Sequence, residues 1–104
     1  MCKITEIFVL KGMLKASNIP FDFIDWNEQE TYKKYQIGYP TKDASKIVCS
    51  IIEGFGTYGS EEDKLEIMGL LTAEEEDGDS VLGYLMADEV FARINRHFIN
   101  ENNI

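Results

Sequence analysis

The chain predicts an α+β domain: a single antiparallel sheet of about five strands, with an N-terminal and a C-terminal helix packed on one face. Three observations carry that expectation. Helical periodicity is confined to the two ends of the chain. Between them, short apolar runs, one with clear period-two alternation, are separated by Gly, Pro and Asp–Gly signals. The links between those runs are short, and parallel strands need long crossovers, so neighbours pair antiparallel.

Ile4 to Ser17 reads as the first helix. Ile7, Leu10 and Leu14 fall on one face, flanked by Phe8 and Met13. Glu6 near the start and Lys11 and Lys15 near the end suit the helix dipole. Asn18 is placed for a left-handed cap, Pro20 prevents continuation, and Gly12 weakens the interior. Phe21 to Trp26 reads as an aromatic-rich strand and Asn27 to Lys34 as a polar connection. Tyr35, Ile37 and Tyr39 alternate with Gln36 and Gly38, a half-buried strand ended by Pro40. After a polar turn at Thr41 to Ser45, the dense apolar run Lys46 to Ile52 reads as a central strand. Leu65 to Leu71 reads as a strand, Thr72 to Asp79 as an acidic turn, and Ser80 to Leu85 as the strand that completes a long-looped hairpin. Ala87 to Phe98 is an amphipathic helix with Val90, Phe91, Ile94 and Phe98 on one face. Asp88 and Glu89 open it, and Arg93, Arg96 and His97 close it. The uncovered sheet face is expected to carry Tyr35, Tyr39, Tyr84 or their neighbours and to offer a surface for a partner or a second copy.

At 104 residues and 44% hydrophobic composition, residues 1–104 form one domain, with 1–3 and 100–104 as loose ends. The two cysteines, Cys2 and Cys49, make neither a disulfide framework nor a CxxC pair and read as free thiols of a reducing compartment. No apolar run approaches the length of a membrane span, so a cytoplasmic location is expected. A net charge of −9 argues against unaided binding to nucleic acid or to an anionic membrane.

That charge is local. Glu53 to Asp79 holds ten carboxylates against Lys64 alone, while the remainder of the chain holds nine acids and nine bases. Concentrated acid is not needed for packing, and its self-repulsion is mildly destabilising. Glu61, Glu62, Asp63, Glu74, Glu75, Glu76, Asp77 and Asp79 are therefore the candidate protein-binding residues, facing a basic groove on a partner. The competing reading is a solvated loop that keeps a small domain soluble.

Other chemistry is weaker in the sequence. The segment GFGTYG supplies Gly54, Gly56, Tyr58 and Gly59 as an alternative small-molecule site, since glycines let backbone N–H groups converge on an anion. Its spacing is neither Rossmann nor Walker, and the acids that follow would repel phosphate. Glu76 to Asp79 lacks the EF-hand pattern, so no metal is expected. His97 is the sole histidine, and Cys49 lies in an apolar run that would raise its pKa. No catalytic residue, enzyme activity or cofactor is assigned.

The blocks IGYP (Ile37 to Pro40), CSIIEGFGTYG (Cys49 to Gly59), LEIMGLLT (Leu65 to Thr72) and SVLGYLMADEVFARI (Ser80 to Ile94) resemble a family of small proteins of Firmicutes genomes, prophages and mobile elements. The likeness covers about the last two thirds of the chain. Met86 departs from the pattern, which leads one to expect a Thr capping the final helix. The resemblance implies a phage or mobile-element setting and no reaction. Joined to the charge distribution, it yields the expected function: a non-enzymatic accessory protein, in the host cytoplasm where phage-encoded. It would inhibit a host nucleic-acid-handling factor, such as a nuclease or CRISPR effector, through an acidic, nucleic-acid-mimicking surface. The alternative is a nucleotide-signal binder that uses the GFGTYG loop.

Overall fold

The computed structural model describes residues 5–25, 34–54, 64–78 and 80–102. Its elements run α1 (Glu6–Ala16), β1 (Asp22–Asp25), β2 (Lys34–Tyr39), β3 (Cys49–Gly54), β4 (Leu65–Met68), α2 (Ala73–Gly78), β5 (Val81–Leu85) and α3 (Ala87–Asn102). The five strands form one sheet in the order β1-β2-β3-β4-β5, every neighbouring pair antiparallel. This is the expected α+β architecture.

Register decides what each face carries. Phe23 pairs with Ile37, Ile37 with Ile51, and Ile51 with Ile67, so one face is a continuous apolar row. Onto it pack Ile7, Leu10 and Leu14 of α1 and Val90 and Ile94 of α3, all fully buried. Burial of side chains of this size stabilises by about 1.5–3 kcal/mol each. The opposite face carries the row Ile24, Gln36, Ile52, Glu66, with Ser50, Met68 and Val81 beside it.

Tyr35 and Tyr39 were expected on that opposite face and are not there. They share parity with Ile37, so they enter the helix-covered side with it. Tyr35 packs against Phe8 and Phe23, with ring centroids 4.8 and 5.8 Å away. Tyr39 is buried and hydrogen-bonded to His97. Tyr84 alone of the three is exposed.

Boundaries differ in four places for identifiable reasons. The fourth strand ends at Met68 rather than Leu71, because Gly69 (φ +101°) and Leu70 (φ +57°) leave the extended region. The third strand starts at Cys49 rather than Lys46, because Asp43 ties up the preceding residues. Its carbonyl accepts from Lys46 N and Ile47 N, and its side chain accepts from Ser45 N and Oγ. The last helix continues through Asn102, where the Asn102 Nδ2 donates to Phe98 O, so 100–102 are helical rather than loose. Thr72 to Gly78 is not a simple turn. It contains α2, started by a reciprocal cap in which Glu75 N donates to Thr72 Oγ1 (3.2 Å) and Thr72 N donates to Glu75 Oε1 (2.8 Å). Trp26, at the end of the expected first strand, lies outside the described residues.

Two carboxylates complete the ends of the long helices. Thr5 makes no side-chain cap to α1. Instead Ile7 N donates to Glu53 Oε1 at 2.8 Å, from a carboxylate fully buried on β3. Met86 cannot cap α3 with its side chain, and Ala87 N donates to Glu6 Oε1 at 2.9 Å. Anionic acceptors suit helix N-termini, where unpaired N–H groups and the dipole both favour negative charge. Glu53 thus belongs to the core rather than to the acidic surface.

Candidate functional site

The described acids of the 74–77 run stand on α2, a helix of 6 residues that buries none of its own. Glu74, Glu76 and Asp77 are exposed. Glu75 is different. It turns inward and meets the Arg93 guanidinium of α3 fork to fork, Nη1 donating to Oε1 at 2.8 Å and Nη2 to Oε2 at 2.7 Å. Arg93 Nη1 also donates to Leu70 O at 3.0 Å, which holds the β4–α2 connection against α3. Both side chains of the pair are 24% exposed. Bidentate Arg–carboxylate pairs are among the stronger charge-assisted contacts.

The Arg93 hydrogen bonds hold the Glu75 carboxyl down to about 2, and the Thr72 N–H pulls in the same direction. Glu75 therefore stays ionised as a structural anion, and it leaves the set of carboxylates available to a partner. Its neighbours keep their charge outward on a mount fixed by the reciprocal cap at one end and by Arg93 along its side.

The connection into α2 is conformationally specific. Gly69 has φ +101° and Leu70 φ +57°. A Cβ on Gly69 would collide with Val48 O, so glycine is required there by close approach as well as by φ. Cys49 lies under the same connection, its Sγ donating to Gly69 O at 3.6 Å. Burial pushes this thiol up to about 12. His97 does not sit on that thiol. Its Nδ1 is 2.8 Å from the Tyr39 hydroxyl. Burial, followed by the charges of Glu101 and Cys49, raises the pKa of Tyr39.

Of the other acids singled out in the sequence, Glu61, Glu62, Asp63 and Asp79 lie outside the described residues. So do Gly56, Tyr58 and Gly59 of the alternative small-molecule segment. Gly54 is described, and it ends β3 with φ +149°. The sequence reading missed Arg93 as the mount of α2 and Thr72 as its cap. The Thr72-x-x-Glu75 spacing was the available signal for the cap, whereas nothing in the chain's spacing announced a partner for Glu75 eighteen positions on. No described helix is long and apolar enough to cross a membrane. No family model, curated protein or solved structure matches the chain.

Proposed function

We propose that this is a non-enzymatic binding protein that uses the outward carboxylates of α2, with Glu61, Glu62, Asp63 and Asp79, to occupy a cation-lined groove on a nucleic-acid-handling protein. The observation that carries this reading is α2 itself. A helix that buries none of its residues adds little to the core, yet it is held by a reciprocal cap and a bidentate ion pair. What such a mount accomplishes is the fixed presentation of Glu74, Glu76 and Asp77. Those three charges span about 4.5 Å of helix axis at 1.5 Å per residue. That density is comparable with duplex DNA, which carries roughly one charge per 1.7 Å of axis. The resemblance to prophage and mobile-element proteins supplies the setting, a host cytoplasm containing nucleases and CRISPR effectors whose channels are lined by Lys and Arg.

The test is a capture experiment with two controls. A host protein retained by the wild-type chain at low salt should be released at high salt and displaced by duplex DNA. A chain with Glu74, Glu76 and Asp77 each replaced by Lys should fold normally and retain nothing. Binding that survives charge reversal, or that DNA does not displace, removes the proposal.

A further inference from the structure

A groove of about 590 Å³ runs along α3 beside the β4–α2 connection, on a stripe that the acidic surface does not use. One wall is Leu70, Leu71 and Thr72, held in place by the Arg93–Leu70 hydrogen bond. The other wall is the α3 stripe Glu89, Ala92, Arg93, Arg96, His97 and Asn100, which recurs at helical spacing. The volume is that of a small-molecule site.

The polar groups of this groove are unequally engaged. In an acid-rich chain, the Arg96 guanidinium makes no hydrogen bond or ion pair with any described residue, and neither does the Asn100 amide. His97 adds a third polar group. Tyr39 is buried, and its hydroxyl lies 2.8 Å from His97 Nδ1. With Nδ1 engaged by that hydroxyl, the other ring nitrogen, Nε2, has Glu101 Oε1 at 3.7 Å, beyond a good hydrogen bond. Arg96 and Asn100 therefore line one end of the groove with donors that no described residue engages, and His97 lines it with them.

Glu89 stands seven residues before Arg96, about 10 Å along the helix. Its carboxylate makes no hydrogen bond or ion pair among the described residues, although it contributes to the field at Arg93. The groove thus has a cationic end at Arg96, an anionic end at Glu89, and between them Leu70, Leu71 and Ala92 together with Arg93, whose guanidinium is already paired with Glu75. We propose that it binds a linear zwitterion, with a carboxylate or phosphate at Arg96, His97 and Asn100, an ammonium at Glu89, and an apolar body between them. Short peptides with free ends and ω-amino acids share this chemistry.

Titration of the isotopically labelled chain by NMR tests the assignment, with three probes: 8-aminooctanoate, octanoate and the tripeptide Ala-Leu-Ala. At least one zwitterion should give saturable shifts confined to 70–72 and the α3 stripe. Arg96→Gln should weaken that zwitterion about tenfold, the scale of a charge-assisted contact, and Arg96→Lys should restore part of the loss. Glu89→Gln should weaken the zwitterion while leaving octanoate as tight or tighter. Both residues are exposed, so only small changes in melting temperature should accompany these effects. Tighter binding of the tripeptide than of 8-aminooctanoate assigns the site to peptides, and the reverse order to ω-amino acids. The inference is overturned by the absence of saturable shifts from both zwitterions at millimolar concentration, or by shifts that ignore the Arg96 charge. Neither result bears on the α2 surface, which the lysine triple variant tests separately.

Discussion

Glu75→Gln and Arg93→Met, combined in a double-mutant cycle, measure how firmly α2 is moored. Two charge-assisted hydrogen bonds join the side chains at 2.8 and 2.7 Å. Fully desolvated, each would contribute about 1.5–3 kcal/mol, whereas a solvent-exposed pair contributes about 0.2–1 kcal/mol in total. With both side chains 24% exposed, water still screens the contact, so a coupling of about 1–2 kcal/mol is expected. The loss should be local. Since α2 buries none of its residues while α3 is anchored by Val90 and Ile94, the amides of Glu76 to Gly78 should exchange about 5–30 times faster in either single variant. Amides of β3 should hardly change. Acid supplies an independent check. A carboxyl held at about 2 rather than its ordinary 4.5 stabilises the mooring above that ordinary value and loses the effect as pH falls toward 2. Protection of α2 should decline through this window in the wild type and stay flat in Glu75→Gln. Native-state hydrogen exchange reads all three quantities. A coupling below about 0.3 kcal/mol, the noise of additive sites, or loss of β3 protection along with α2, would refute the mooring.

Gly12→Ala should raise global stability by about 0.5–1 kcal/mol in denaturant titration, because a Cβ there meets nothing within 4 Å and α1 loses a helix-weakening residue. Gly69→Ala should cost at least about 2 kcal/mol in the same assay, combining a left-handed backbone with the clash against Val48 O. Glu53→Ala should cost about 3–5 kcal/mol by removing the acceptor for Ile7 N and leaving a void in the core, while Glu53→Gln, which keeps an acceptor oxygen, should recover part of the loss.

Much of this fold is legible in the sequence because each element advertises its own period. Ile7, Leu10 and Leu14, like Val90 and Ile94, mark buried helix faces, and alternation through Tyr35, Ile37 and Tyr39 marks a strand. Which face that strand turns inward follows from Ile37, and the tyrosines travel with it. The hydroxyl that argues for solvent is satisfied instead by His97, 58 positions away, a partner that periodicity cannot supply. A run of four consecutive acids followed by Gly78 invites a loop reading on grounds of like-charge repulsion. The cap between Thr72 and Glu75, together with Arg93, outweighs that repulsion. The outward placing of Glu74, Glu76 and Asp77 agrees with the composition, whereas the subtraction of Glu53 into the core and of Glu75 into an ion pair required coordinates.

The borrowed carboxylates at the helix starts tie the layers into one closure. The first turn of α1 is finished by β3, 46 positions downstream, and the first turn of α3 by α1, 81 positions upstream. Neither helix holds that acceptor until the sheet and its partner helix are in place, so an excised terminal fragment begins with an open, fraying turn. Unfolding should accordingly be concerted across the helical layer, and a lesion at position 6 should register at the remote start of α3 before it disturbs the strands.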